Sequence, residues 1–236
     1  MALKKFFTPL LFIGNEWITS PVLMKFVEDY CFSYVNNLRI FNVNARTLFN
    51  SVSIYIMPMV NPDGVDLVTG EISPNSSLYT NTKLIADNYP TIPFPSGWKA
   101  NIRGVDLNLQ FPAGWEQARQ IKFEQGFTSP APRDFVGFSS LTEPEALAIY
   151  NFTLEHNFSL ILSYHTQGEV IFWQFQNYSP QNSFLIGSTF ARISGYSLED
   201  TPYNSSFAGF KDWFIQDYNR PGFTIEAGLR SKSFDC

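Results

Sequence analysis

Residues 142–169 read TEPEALAIYNFTLEHNFSLILSYHTQGE, and this stretch decides the fold class because it joins a helix to a strand. Thr142 and Glu145 have the spacing of a capping box, which predicts a helix that runs to about His156. The short apolar run at 158–164 predicts a strand. A helix that leads directly into such a strand is typical of α/β proteins.

The same alternation continues on both sides of this stretch. Ser20 and Pro21 have the pattern of an N-cap followed by proline at the first helical position, and apolar residues recur at helical spacing as far as Tyr34. Residues 61–64 predict a tight turn, and the proline-containing stretch 65–100 is rich in loops. The further predicted strands are 10–14, 52–59, 169–175 and 223–227, and the further predicted helices are 183–194 and 210–216. We therefore predict an α/β fold with a mixed, mostly parallel sheet and helices on both faces.

The composition of the chain favours one globular domain and excludes some kinds of partner. Its 236 residues are 44% hydrophobic, which is enough for a substantial core. The net charge of -5 argues against nucleic acid as a partner, because phosphate binding needs a basic surface. No apolar run approaches the length of a membrane span, so we expect no membrane partner.

Three polar residues stand at or near the ends of predicted strands, where chemistry can take place. His165 ends an apolar strand, and ligands of α/β sheets bind beyond the carboxyl ends of the strands. Glu226 lies in an otherwise apolar strand, where burial would raise its pKa and suit it to general-base catalysis. Glu16 directly follows a predicted strand and is a metal or catalytic candidate, although an acid at a helix N-terminus would also explain it. The other histidine, His156, is better explained by its place at a helix C-terminus.

Six short motifs follow one another along the chain. They are Gly-Asn-Glu-Trp-Ile-Thr-Ser-Pro at 14–21, Asn-Pro-Asp-Gly at 61–64, Gly-Val-Asp-Leu-Asn at 104–108, Ser-Tyr-His-Thr at 163–166, Tyr203 with Asp212-Trp213, and Phe-Thr-Ile-Glu at 223–226. This series resembles the zinc carboxypeptidase family over about residues 14–228. The stretches 98–103 and 109–115 resemble one branch of it in particular, the bacterial γ-D-glutamyl-L-diamino-acid endopeptidases, which cut peptidoglycan stem peptides. The resemblance implies a zinc-dependent metallopeptidase that hydrolyses γ-D-glutamyl-diaminopimelate bonds.

The resemblance also implies the parts of a catalytic centre. Glu16 and His165 match two of the zinc ligands, and the family binds one zinc ion per chain. Glu226 matches the general base, which takes a proton from the attacking water and passes it to the leaving amine. The positive group that stabilises the oxyanion falls at Lys99 by spacing or at Arg103 by chemistry, and both remain open.

Three positions are implied to bind the peptide or muropeptide substrate. Tyr203 resembles the mobile tyrosine that closes over substrate, and Asn204, the next residue, is the alternative match for that position. Asn108 matches half of the Asn-Arg pair that holds a terminal carboxylate, but Leu109 stands in the place of the arginine, which favours an endopeptidase. Lys211 falls near the position that sets side-chain preference and would pair with the extra carboxylate of diaminopimelate. An exposed helix lysine would explain it equally well.

The sequence departs from the family pattern at the third zinc ligand and at both ends. The family has a histidine where this chain has Ile13, and catalytic zinc normally takes three protein ligands. We divide the chain into a non-matching segment at 1–13, an incomplete catalytic domain at 14–228 and a non-matching tail at 229–236, and we expect an N-terminally truncated product that lacks the first strands. The alternative function is a catalytically inactive relic or peptide-binding module with the same fold. We expect a cytoplasmic location, with the extracellular space or the cell wall as the alternative.

Overall fold

The computed structural model describes residues 3–9 and 12–229, and a mixed β-sheet lies at its centre. The strands of this sheet are β1 (Lys4–Pro9), β4 (Val52–Met57), β5 (Phe158–His165), β6 (Val170–Phe172), β7 (Ser197–Glu199) and β8 (Gly222–Glu226), and β2 (Arg39–Ile40) with β3 (Val43–Asn44) forms a separate hairpin. Their order in the main sheet is β4-β1-β5-β8-β6-β7. Neighbouring strands are parallel, except that β6 runs antiparallel to β8. This confirms the predicted mixed, mostly parallel sheet.

Helices pack on both faces of the sheet. They are α1 (Thr19–Val35), α2 (Ala45–Ser51), α3 (Pro62–Thr69), α4 (Ser77–Ala86), α5 (Trp115–Glu124), α6 (Pro144–Glu155), α7 (Ser183–Ser194) and α8 (Phe210–Tyr218). On β5, Ile161 joins the core beneath α6 and α8, whereas Leu160 and Leu162 join the core beneath α7. Side chains alternate between the two faces of a strand, so α7 covers the face opposite to α6 and α8. None of the helices in the described residues is long and apolar enough to cross a membrane.

The first strand lies earlier in the chain than the sequence predicts. The predicted strand at 10–14 is wrong for residues 12–14, while Leu10 and Leu11 lie outside the described residues. Gly14 instead begins a short 3₁₀ helix, Gly14–Glu16, and its N–H donates to the Lys99 carbonyl at 3.1 Å. This turn packs so closely on α3 that a Cβ at position 14 would lie 2.8 Å from the Gly64 carbonyl oxygen. The close approach explains why glycine stands there and why no strand continues through it.

Two expected N-caps use their hydroxyl groups elsewhere. Ser20 lies inside α1, and its hydroxyl donates to the Pro58 carbonyl. Thr142 precedes α6 but does not cap it, because its N–H and hydroxyl both bond to Gln110 Oε1, at 2.9 and 3.2 Å. Both predictions are therefore wrong about the cap, although the two helices are present.

The stretch 61–100 is more helical than predicted. The motif at 61–64 begins α3, where the Asn61 side chain accepts the Gly64 N–H at 3.0 Å, so the predicted tight turn is wrong. The Asn61 amide also donates to the carbonyls of Phe12 and Ala100, at 3.1 and 3.0 Å. The buried Asn61 side chain thus caps α3 and joins the segment that contains Phe12 to the segment that contains Ala100.

Candidate active site

A cavity of about 740 Å³ opens at the carboxyl ends of β5 and β8. His165 is the last residue of β5 and Glu226 the last of β8, and the two are register partners in this parallel pair. Glu16 reaches the same cavity from the 3₁₀ helix that follows β1. Residues from distant parts of the chain therefore meet where α/β sheets bind their ligands.

Glu16 joins His165 and Lys99 in a buried charged cluster. Glu16 Oε2 lies 3.0 Å from His165 Nδ1 and accepts the Thr166 N–H at 3.2 Å. Glu16 Oε1 accepts a hydrogen bond from Lys99 Nζ at 3.1 Å. Glu16 and His165 are each 4% exposed, so these partners compensate charges that would otherwise be costly to bury.

The cluster lowers the pKa of Glu16 and raises the pKa of His165, and both changes favour the charged form of the group. Burial by itself would raise the pKa of the Glu16 carboxyl, but the hydrogen bond and charge of His165, together with Lys99, hold that pKa below its ordinary value. Burial by itself would lower the pKa of His165, but the hydrogen bond and charge of Glu16 and the charge of Glu226 raise it above its ordinary value. Both shifts favour the charged forms of the two groups at this contact.

Glu226 has the electrostatic character of a proton-transfer group. Its carboxyl lines the cavity, and burial raises its pKa above the ordinary value. The positive charges of His165 and Lys99 oppose this shift, and the negative charge of Glu16 adds to it. The sequence-based expectation of a raised pKa is confirmed. A carboxyl with a raised pKa is suited to accept a proton and return it within one reaction cycle.

The donor set in this cavity falls short of a catalytic zinc site. Glu16 and His165 offer a carboxylate and an imidazole, which are both groups that bind zinc. Ile13 is 4% exposed and lines the same cavity, and its side chain has no donor atom. Within residues 3–9 and 12–229, no group of three or more His, Cys, Asp or Glu is placed to hold a metal ion. The residues present therefore do not supply the three protein ligands that catalytic zinc normally takes.

Asn108 and Leu109 lie together on the cavity wall, in a short 3₁₀ helix, Leu107–Leu109. Asp106 caps this helix, and its Oδ1 accepts the Asn108 N–H at 3.2 Å. Leu109 presents an apolar surface where an arginine would offer a carboxylate two hydrogen bonds.

Lys211 is buried at the start of α8 and also lines the cavity. Its ammonium donates to the Gln174 carbonyl at 2.8 Å and to Asp212 Oδ1 at 2.5 Å. The alternative interpretation, an exposed helix lysine, is wrong because the side chain points inward from α8 and has two internal partners.

Of the two candidates for the oxyanion-stabilising cation, the structure brings only Lys99 to the cavity. Arg103 is 57% exposed at its side chain, and its Nη2 donates to Glu143 Oε2 at 2.7 Å. Its Nε donates to the same oxygen at 2.9 Å. This ion pair turns Arg103 away from the cavity, so the preference for Arg103 on chemical grounds does not match its position.

Tyr203 lies beside the cavity and not in its wall. The residue is 59% exposed, and its ring packs edge-on against Phe207 with centroids 5.2 Å apart. Phe207 itself lines the cavity. Asn204, the alternative to Tyr203, is exposed as well. In this conformation neither residue reaches the charged cluster.

Sequence reasoning missed a second charged group on the cavity wall. Arg133 Nε donates to Asp134 Oδ2 at 2.5 Å, and Lys122 Nζ lies 2.6 Å from Asp134 Oδ1. The Asp134 N–H donates to Asp106 Oδ2 at 3.0 Å, and all four residues line the cavity. Burial by itself would raise the pKa of Asp134, but the charges of Arg133 and Lys122 hold it below its ordinary value. The sequence feature that could have indicated this group is the pair Arg133-Asp134, which directly follows Pro-Ala-Pro in a chain with only 16% charged residues.

Comparison with known sequences identifies the family. The zinc carboxypeptidase family (Peptidase_M14) matches residues 12–234. The gamma-D-glutamyl-L-diamino acid endopeptidase 1 of Lysinibacillus sphaericus is 46% identical over 217 residues, which are 92% of this chain and 52% of that protein. The uncharacterized protein YqgT of Bacillus subtilis strain 168 is 40% identical over 227 residues, which are 96% of this chain and 58% of that protein. This chain therefore spans about half the length of the curated relatives that it matches.

Solved structures share the fold at lower identity. The carboxypeptidase A of Helicoverpa armigera has a TM-score of 0.65 at 22% identity, over 97% of this chain and 53% of that one. The murein-tripeptide amidase MpaA of Escherichia coli O157 has a TM-score of 0.55 at 18% identity, over 98% of this chain and 75% of that one. Sequence and fold agree, and the chain belongs to the zinc carboxypeptidase family.

Proposed function

We propose that this chain provides the active site of a metallopeptidase that hydrolyses γ-D-glutamyl-diaminopimelate bonds in peptidoglycan peptides. The observation that carries the proposal is the convergence of Glu16, His165, Glu226 and Lys99 on one cavity. The substrate class is supported by the name of the relative that is 46% identical over most of this chain.

The charges on the cavity wall support a substrate with several carboxylates. Lys99, Arg133 and Lys211 line the cavity, and each can meet an anionic group. A γ-D-glutamyl-diaminopimelate peptide carries carboxylates on both sides of the bond to be cut. Lys211 would pair with the side-chain carboxylate of diaminopimelate. Leu109 provides no bidentate partner for a terminal carboxylate, which supports cleavage within a peptide.

The positions of the reacting groups support one role for each of them. Glu226, with its raised pKa, would take a proton from the attacking water and deliver it to the leaving amine. Lys99 would stabilise the negative charge that develops on the scissile carbonyl oxygen. Zinc enters this proposal through the family, with Glu16 and His165 as its available ligands and Ile13 leaving the set one short.

A second candidate function is peptide binding without hydrolysis. It is favoured by Ile13, which leaves the metal site incomplete, and by the hydrogen bond that already joins Glu16 to His165. The cavity and its cations do not depend on the metal, so this function would retain the same ligand.

The two candidates are separated by measuring peptide hydrolysis while zinc is titrated into the purified chain. We expect the release of diaminopimelate peptides to rise with zinc and to be absent in Glu226→Gln. Peptide binding with no hydrolysis at any zinc concentration would favour the binding module. A chain that neither binds nor cuts the peptide would contradict both.

A further inference from the structure

Arg133 is fixed beside Lys99 by the backbone. The Pro132 carbonyl accepts the N–H groups of Lys99 and Ala100, at 2.7 and 2.9 Å. The pairing continues on both sides, since the Ala131 N–H donates to the Gly104 carbonyl at 3.0 Å and the Asp106 N–H to the Phe135 carbonyl at 2.8 Å. The two cations therefore lie on neighbouring, hydrogen-bonded segments of the cavity wall, and Lys99 pairs with the Glu16 carboxylate.

The Arg133 side chain is held from one side and open on the other. Its Nε is bonded to Asp134, and Asp134 is itself held by Lys122 and by its N–H bond to Asp106. In the described part of the chain, no hydrogen bond involves either Nη atom of Arg133, whose side chain is 41% exposed and lines the cavity. The guanidinium edge that can bind a carboxylate through two parallel hydrogen bonds is thus available to a ligand.

Each lysine of the cavity has one cationic nitrogen, and that nitrogen donates to a protein carboxylate, whereas Arg133 pairs with Asp134 through Nε and has two further nitrogens. Lys99 pairs with Glu16, Lys122 with Asp134, and Lys211 with Asp212 and the Gln174 carbonyl. Arg133 therefore combines a fixed position with unused donors, which is the property of a preorganised anion-binding group.

The proposed substrate has one carboxylate that ordinary peptides lack. In a γ-linked glutamyl residue the scissile carbonyl belongs to the side chain, so the α-carboxylate stays free on the acyl side of the bond. Four carbon–carbon bonds separate the scissile carbonyl carbon from this carboxylate carbon, which is about 5 Å in an extended chain. A cation next to the one that meets the scissile carbonyl oxygen is in the right place to bind it.

We propose that Arg133 binds the free α-carboxylate of the γ-glutamyl residue and so determines the preference of the cavity for γ-linked peptides. This inference rests on the proposed function, and it assigns to Arg133 the acyl side of the bond, opposite to Lys211. Asp134 acts as a positioning residue, because it touches Arg133 and not the ligand.

The test compares two ligands by isothermal titration calorimetry on the full chain, so it needs no catalysis. The first is N-acetyl-γ-D-glutamyl-diaminopimelate, and the second is the same compound with the α-carboxylate replaced by a carboxamide. We expect the unmodified chain to bind the carboxylate about tenfold to a hundredfold more tightly than the carboxamide, as for loss of a charge-assisted hydrogen-bonded pair. Arg133→Gln should bind both at the affinity of the carboxamide, and Arg133→Lys should keep part of the preference.

The matched control is Arg119→Gln, which removes one positive charge from the exposed surface of α5. It should leave the preference for the carboxylate unchanged. Equal binding of the two ligands by the unmodified chain would overturn the assignment of Arg133, as would an undiminished preference in Arg133→Gln. The comparison of the two ligands on the unmodified chain can be made even if Arg133→Gln does not fold. Failure of the unmodified chain to bind either ligand would contradict the proposed function, and this inference with it.

Discussion

Replacing Ile13 by histidine tests whether position 13 is where the metal site lacks a ligand. Ile13 belongs to the main hydrophobic core, together with Phe12 and Phe111, and also lines the cavity that holds Glu16. Without metal, Ile13→His exchanges a buried apolar side chain for a polar one. We expect the free energy of unfolding to fall by about 2 kcal/mol. For a domain of this size, that loss lowers the Tm by about 4–8 °C.

Zinc should reverse this loss in the variant. The new imidazole would join Glu16 and His165 and complete a set of three protein ligands. A ligand present at a hundred times its Kd stabilises the folded state by about 2.7 kcal/mol. Zinc at that ratio should therefore return the Tm of Ile13→His to that of the unmodified chain or above it, and hydrolysis should then need far less zinc.

The assay is thermal unfolding with and without zinc, together with the zinc content after equilibrium dialysis. Ile13→Gln is the matched control, because it also buries a polar group but is a poor zinc ligand. We expect about one zinc per chain in Ile13→His and a Tm in Ile13→Gln that does not respond to the metal. The same zinc response in both variants would refute the idea that position 13 lies at the missing ligand.

Three further variants test the groups around the cavity. Glu226→Gln should lower kcat for the γ-glutamyl peptide by about 10²–10⁴-fold at saturating zinc while peptide affinity is retained, and an unchanged kcat would remove Glu226 from the reaction. Asp134→Asn should change the acid stability, because the pKa of Asp134 is held below its ordinary value. The stability that its ion pairs add is present above about pH 4 and is lost as the pH falls through the lowered pKa. Urea unfolding of Asp134→Asn should therefore depend less on pH below 4 than that of the unmodified chain, and identical pH profiles would contradict this. Lys211→Met should lower the ratio of kcat/KM for diaminopimelate over lysine peptides about tenfold, and an unaltered ratio would rule out the pairing of Lys211 with the extra carboxylate.

The contacts of Glu16 with His165 and Lys99 keep these buried polar groups paired, although the neighbouring Ile13 supplies no donor atom. Glu16 and His165 are almost fully buried, and each has the other as a hydrogen-bond partner. A buried charge without a partner is strongly destabilising, whereas a hydrogen-bonded pair is tolerated. The cluster is thus electrostatically satisfied by protein groups, with Lys99 as the third member.

Local patterns in the sequence determined four strands of the main sheet, β4, β5, β6 and β8, and the polar residues in or near their ends, but they misplaced β1 and missed β7. The apolar run at 158–164 corresponds to β5, which ends one residue later, and the helical pattern at 183–194 is α7 with both boundaries as predicted. These signals are readable because side-chain periodicity acts over a few residues. His165 and Glu226 could be proposed for the same reason, since His165 ends an apolar strand and Glu226 lies within one.

Only the tertiary structure decided which charged residues reach the cavity. Lys99 and Arg103 are both basic and lie in one short segment. The Lys99 carbonyl accepts a hydrogen bond from the Gly14 N–H, which lies beside the cavity. Arg103 instead pairs with Glu143 outside the cavity. Arg133 reaches the wall because the backbone around it pairs with the segment that carries Lys99. The strand expected at 10–14 became a 3₁₀ helix because Gly14 packs against α3. Each outcome depends on hydrogen bonds and contacts between segments far apart in the chain, and such contacts leave no periodic pattern in the sequence of either segment.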